Sequence, residues 1–393
     1  FTEARFIYAE GNYYVLESSF SNSLFKRYLT YFERVTVCAR VREGLLDEVL
    51  EANKVNNEGV TVYPLPYYVG FNQFLLKFFL VRSAIRKMLK SHATDNSAVL
   101  CRVPGRIGSM AVEFLKKRNM VYGIEVVGDP YDVLSNGATN HALAWAIRYF
   151  SFSSLKKTAL AAPAVLYVTE RMLQTRYPNN SFNVGVSDVV LHDDAYSHPK
   201  SISLIRPDEY HLICVGSLEQ MYKAPDVMLR AVKIIVASGI NVHMHWIGDG
   251  FFKDKMIQLS HELAIEKHVT FHGKLPGGEA VRRKLDMSDV FVMPSRMEGL
   301  PRAMVEAMAR GLPCIGTKLC GIQELLDKEF LVPVNNVQEL ASKTLMVLNS
   351  SDLRREQSMR NYNKSLSYRE EVLKPKRDLF YNHLMAISAK EKV

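Results

Sequence analysis

Several kinds of segment are missing from this chain of 393 residues. No run of about 18 uncharged apolar residues occurs, so no transmembrane helix is expected. The first residues carry no secretory signal pattern, so no export is expected. There are five cysteines, Cys38, Cys101, Cys214, Cys314 and Cys320, an odd number with no Cys-x-x-Cys pair. That excludes a disulfide framework and a thiolate metal knuckle, and it reads as a reduced, cytoplasmic protein with buried thiols. No nucleic-acid-binding motif is present either, so the net charge of +9 and pI of about 9.1 are not read as a nucleic-acid footprint. Basic excess also suits an anionic membrane face or anionic substrates. Here it is uneven: residues 71–120 hold ten Lys and Arg against two acids, Asp95 and Glu113.

What is present is globular, 48% hydrophobic and 23% charged, and long enough for two domains. The most informative stretch is 290–317, VFVMPSRMEGLPRAMVEAMARGLPCIGT. Val290–Met293 is an apolar run that predicts a buried strand. Pro294-Ser295 predicts a turn, and Ala303, Met304, Ala307 and Met308 predict one side of a helix. Pro301 suits the first helical position, Gly311 stops the helix, and Pro313 leads into the next strand. At such a loop-to-helix junction the first amides lack internal partners and carry the positive end of the helix dipole. The amides of Gly299 and Leu300 are therefore a candidate phosphate cradle. Glu298 and Glu306, seven residues between them, flank the junction. Phosphate repels carboxylates, so these should face neutral hydroxyls, which a sugar nucleotide carries on ribose and hexose.

Glu298, Glu306 and the following Ala307-Met308-Ala309-Arg310-Gly311-Leu312-Pro313 resemble the signature of the retaining glycosyltransferases of the GT-B fold, family 4. The resemblance is specific over 210–335 and architectural over the first half. It implies an α/β chain of two Rossmann-like domains facing each other across a cleft. The expected boundaries are an acceptor domain at 1–198, a nucleotide-sugar domain at 199–367, and a last helix within 368–393 crossing back to the first domain. Gly216–Asp226 resembles the family's first loop of the nucleotide domain. There Lys223 matches the family lysine, expected to neutralise the donor diphosphate and assist its departure. Ser217 stands where the family carries Arg, with Arg296, Arg302 or the first domain as candidates to compensate. Glu306 is expected at the ribose and Glu298 at the transferred sugar. Lys274 and Leu275 are expected beside the base, and Gly11 and Gly216 beside the phosphates.

Along the first half, strands are predicted at 5–10, 35–39, 60–65, 98–103, 121–127 and 164–169, alternating with helices as in a parallel, doubly wound sheet. Ligands bind at the carboxyl ends of such strands. That places the loop Glu10-Gly11-Asn12, and Asp129 after its strand, at the cleft. Asn12, Arg102, Arg106 and Asp129 are the candidate acceptor contacts, though a turn-forming Asp and solvated arginines fit as well. Residues 71–90 set Phe71, Phe74, Leu75, Phe78 and Phe79 beside Arg82 and Arg86. The pattern fits either an amphipathic helix on an anionic membrane face or a helix packed on its own sheet.

The expectation is a retaining transferase moving a hexose from a nucleoside diphosphate sugar, a uridine one favoured over guanosine, to a hydroxyl of a glycan or lipid-linked acceptor. Lys223, Glu298 and Asp129 are its catalytic candidates. No Asp-x-Asp pair occurs, so neither metal nor other cofactor is expected. The place would be the cytoplasm, peripheral on the inner face of the plasma membrane, with no nucleic-acid partner. The rival readings are a non-catalytic subunit of the same fold, and an epimerase or phosphorylase.

Overall fold

The computed structural model describes all residues except 17–19, 21, 50, 56–57, 94–96, 134–143, 190, 200–206, 277 and 391–393. The first half forms two four-stranded sheets. One holds β1 (Arg5–Ala9), β2 (Asn12–Val15), β3 (Val35–Glu43) and β4 (Val60–Pro66) in the order β2-β1-β3-β4. The other holds β5 (Leu100–Val103), β6 (Gly123–Val126), β7 (Ala164–Tyr167) and β8 (Phe182–Gly185), all parallel and in sequence order. Residues 1 and 2 join the two: the Phe1 amine donates to Leu100 O at 2.9 Å, Arg102 N donates to Phe1 O, and Thr2 N donates to Cys38 O. The strand order therefore reverses between β1 and β5, the kind of point where such sheets bind ligands.

The second half is one six-stranded parallel sheet of β9 (Tyr210–Val215), β10 (Val242–Ile247), β11 (Val269–Phe271), β12 (Val290–Met293), β13 (Cys314–Thr317) and β14 (Leu331–Val332). Its order, β11-β10-β9-β12-β13-β14, reverses between β9 and β12. β12 and β13 are buried at every residue, which is why they read as continuous apolar runs rather than alternating ones. The last helix, Glu370–Lys390, packs on the first half. Phe380 and Leu384 pack over Gly123 of β6, and the Tyr381 hydroxyl donates to buried Glu125 at 3.1 Å.

Two expectations are corrected. Gly11–Tyr14 is not a strand-to-helix loop. Glu10 and Gly11, with φ of 45° and 78°, make a tight hairpin turn, and β2 runs back antiparallel to β1. Pro301 is the cap of the helix Arg302–Ala309 rather than its first residue. In the helix Gly70–His92 the apolar residues set side by side in the sequence divide: Phe74 is core and Phe78 is half-buried, while Phe71, Leu75 and Phe79 are exposed together with Leu76 and Leu80.

Candidate active site

The site builds up around the strand-order reversal of the second sheet, where β9 and β12 deliver their loops side by side. After β9, Gly216 lies against the stem of Lys223: a Cβ on Gly216 would stand 2.8 Å from Lys223 Cγ. The lysine sits at the end of the single 3-10 turn Met221–Lys223. Ala224, with φ of 52°, then swings the chain into the helix Pro225–Ala237. After β12, Ser295 and Glu298 are buried. The two loops meet at one carboxylate oxygen: Lys223 Nζ and Ser295 Oγ each donate to Glu298 Oε1 at 2.6 Å.

Arg296 fixes this meeting. It is buried, donates bidentately to Asp226 at 2.8 and 2.7 Å, and reaches Met221 O at 2.8 Å and Asn335 Oδ1 at 2.7 Å. Its backbone N–H also donates to Tyr222 O. Arg296 thus clamps the lysine-bearing turn to the β12 loop and is not spare charge to replace the arginine absent at Ser217. The Ser217 hydroxyl accepts from Glu219 N at 3.1 Å and so shapes its own loop. The turn Gly248-Asp249-Gly250 packs on that loop so closely that a Cβ on Gly248 would fall 2.0 Å from Gly216 O. Lys274 is exposed and Leu275 half-buried just after Gly273, whose carbonyl accepts from Gly248 N.

Glu306 lies inside the helix Arg302–Ala309. Burial raises its carboxyl above the ordinary value, with Arg302 and Arg282 opposing. Leu300 is buried, and Gly299 is where the two halves touch: a Cβ there would stand 2.5 Å from Val127 O, just beyond β6. Gly321 comes closer still, its Cβ position only 1.7 Å from Gly299 O. Only glycine lets these three backbones share the space.

The first-half candidates fare differently. The Asp129 carboxylate is buried and occupied. It is paired with Arg176, accepts from the Tyr177 hydroxyl at 2.5 Å, and accepts from Tyr131 N at 2.9 Å. Burial first, and then this bond to Asp129, push the Tyr177 hydroxyl well above its ordinary pKa. Asp129 therefore shapes the loop that meets Gly299 and has no oxygen left to orient an acceptor. Arg102 is likewise committed, to Glu125 at 3.4 Å and Asp188 at 3.3 Å. Arg106 donates to Gly70 O at 3.2 Å and lies over the rings of Phe71 and Phe74. Asn12 donates to Glu10 O within the hairpin, and Gly11 has open space around it.

One residue that sequence reasoning left without a role is Glu324. Its carboxylate accepts from three consecutive first-half amides, Glu170 N, Arg171 N and Met172 N, at 2.8, 2.7 and 2.6 Å. These are the orphan amides that open the helix Met172–Arg176. Nothing local in the sequence marks a partner 154 residues away.

Two Rossmann-like halves, each with its strand-order reversal, and a last helix crossing back define a protein of the GT-B class. Residues 199–365 match the family profile of the glycosyl transferases group 1. Over 372 residues the chain is 27% identical to Protein CapJ of Staphylococcus aureus, covering 94% of this chain and 90% of that one. Two solved structures share the architecture. Sucrose-phosphate synthase from Thermosynechococcus elongatus superposes with a TM-score of 0.72 at 15% identity, covering 93% of each chain. HepE from Anabaena, in complex with UDP and glucose, superposes at 0.62 and 17%, covering 95% of this chain and 97% of that one. At these identities the structural likeness is one of fold.

Proposed function

We propose that this group 1 glycosyltransferase is a retaining hexosyltransferase using a nucleoside diphosphate sugar, with uridine as the favoured base. The observation that carries the reading is the Lys223–Glu298 pair, a cation and a carboxylate 2.6 Å apart at the strand-order reversal of the donor-side sheet. A buried pair of this kind is costly to maintain unless it has a use. When a diphosphate arrives, its charge takes over the Lys223 ammonium and frees a Glu298 oxygen to accept hydroxyl protons from the hexose. The Gly299 and Leu300 amides and the Gly216-Ser217 loop line the phosphates. Glu306 takes the ribose hydroxyls, and Lys274 and Leu275 flank the base. The UDP and glucose bound by HepE support a uridine donor by analogy of fold.

The step breaks the bond between the anomeric carbon and the diphosphate oxygen and forms one to the acceptor oxygen on the same face. The acceptor proton passes to the departing phosphate, so no enzyme nucleophile is required. Lys223 supplies the charge neutralisation that a divalent ion gives elsewhere. The acceptor is a glycan or a lipid-linked saccharide, as in assembly of surface polysaccharide or glycolipid, and the enzyme works peripherally on the inner membrane face. The test is release of nucleoside diphosphate from a panel of UDP- and GDP-hexoses in EDTA, with the anomeric configuration of the product read by NMR. Release from one UDP-hexose with retention supports the reading. Release only when a divalent metal is restored, or an inverted product, overturns it.

A further inference from the structure

The Gly70–His92 helix is not alone in presenting an apolar outer face. The helix Ala144–Ala161 exposes Trp145 by 73%, Tyr149 by 64% and Phe150 by 70%, about as fully as Leu76 (85%), Phe79 (81%) and Leu80 (62%) stand out on the first. The two helices follow one pattern. Each has its most exposed large apolar side chains in its first half, Leu160 at 41% being the one exposed large apolar side chain near the end of the second helix. Each has exposed cations in its second half: Arg86, Lys87 and Lys90 on one, Lys156 and Lys157 on the other. Neither contains a single Asp or Glu.

Topology brings the two apolar ends to the same place. Both helices are crossovers of the two joined first-half sheets, one from β4 to β5 and the other from β6 to β7, and both connections run in the same direction along the combined strand order. Right-handed connection puts them on one face of the joined sheets with their first turns at the carboxyl edge of the strands. Side-chain contacts agree. Arg106, opening the next helix Arg106–Lys117, donates to Gly70 O and lies over Phe71. On the other helix Arg148 donates to Tyr131 O at 2.9 Å and lies 3.7 Å over the Tyr131 ring. Tyr131 is two residues from Asp129, in the loop that meets Gly299.

We infer that these two helix faces are one docking surface for an anionic phospholipid bilayer. The apolar halves enter the interface beside the mouth of the cleft, and the cations behind them rest on the headgroups. The charge argument selects this occupant: exposed Trp, Tyr, Phe and Leu followed by acid-free basic turns match an anionic interface. The surface carries bases and no acids on either helix, so it complements a uniformly anionic plane rather than the mixed charges of an ordinary protein surface. The arrangement rests on the transferase reading only in giving the surface its purpose, which is to let a lipid-linked acceptor enter the cleft from the membrane plane. The surface itself is measured separately.

The experiment is sedimentation of the full chain with vesicles of phosphatidylcholine carrying about one third phosphatidylglycerol. Three variants are compared with it: Leu76→Asp with Phe79→Asp, Trp145→Asp with Phe150→Asp, and Lys87→Gln with Lys90→Gln. All these side chains are exposed, and circular dichroism and nucleotide-induced thermal shift of each variant check folding and the donor site independently. Each apolar pair is expected to lower vesicle affinity by at least about tenfold. The lysine pair should weaken binding to the anionic vesicles while leaving binding to pure phosphatidylcholine unchanged. Wild-type protein that does not sediment, or full binding by the Trp145/Phe150 variant, overturns the two-helix surface. So does a change of oligomeric state with unaltered vesicle binding, which would make the face an interface between copies. Vesicle binding with no response to any nucleotide would instead leave the surface standing and overturn the donor-site reading.

Discussion

Among the site residues, the Lys223–Glu298 pair has both partners largely removed from water, so neither can be deleted without leaving an uncompensated charge. Arg296 is the more demanding residue for stability because it joins two loops. Arg296→Ala removes the bidentate contact to Asp226 and is expected to destabilise the chain by about 3 kcal/mol in chemical denaturation. It should also disorder the Lys223 turn. Gly299→Ala puts a methyl against Val127 O and is expected to impair transfer more than stability, because the cleft can open to relieve the clash at the cost of closure. Lys223, Glu298 and Glu306 stood out as candidates in the sequence because they sit at fixed spacings in two loops and the helix that follows the second. The sequence could not reveal that Arg296 holds Asp226 across 70 positions, because nothing local marks such a partner. It misjudged Asp129 for the same reason. An Asp before Pro at a strand end looks the same whether it faces a substrate or, as here, Arg176 and Tyr177.

At the scale of elements, β12 matches the apolar run Val290–Met293 residue for residue, because a buried parallel strand leaves that signature. The β1–β2 hairpin was illegible. Its turn is Glu-Gly rather than Asn-Gly or Asp-Gly, and its tyrosines resemble a loop near a cleft as much as a strand. The six-stranded sheet of the second half carries an unassigned row of histidines. His211 and His245 approach to 3.2 Å between ring nitrogens, and His245 and His272 to 3.0 Å. Among the described residues no group of His, Cys, Asp or Glu is placed to hold a metal ion. Burial first, then His243, His272, His211 and Lys284, lower the His245 pKa to about 4. His243 and His272 are lowered too, again mainly by burial. Histidines held neutral in the folded state take up protons on unfolding. Their contribution is therefore complete above the ordinary value near 6.5 and is lost as pH falls from there toward 4. The melting temperature is expected to fall across that window, and less steeply in His245→Asn. An unchanged acid limb in that variant would show that the row does not set it.

At the scale of the whole molecule, the two halves are fastened at several places. Gly299 meets Val127, and Ser197 N donates to Ala309 O. Glu324 caps the helix Met172–Arg176 from across the cleft. The last helix adds Lys376 to Glu170 at 2.6 Å. Glu324→Gln keeps the shape but weakens acceptance of three amides. The expected result is faster hydrogen exchange at residues 170–172 and a raised KM for donor with the fold intact, whereas protection equal to wild type would assign closure to other contacts. Two-domain architecture and the returning helix were legible from motif and length. How the halves meet was not, because contacts between distant loops leave no periodicity.

The central claim is that Lys223, Glu298 and Glu306 form a donor site for a nucleoside diphosphate sugar. Its most direct test is the thermal shift of wild type, Lys223→Ala and Glu306→Ala with UDP, GDP and ADP in EDTA. A ligand at a hundredfold its Kd stabilises by about 2.7 kcal/mol. The account predicts that UDP alone raises the melting temperature of the wild type and that both substitutions cut that rise sharply. No rise with any nucleotide, or an equal rise in all three proteins, would contradict it.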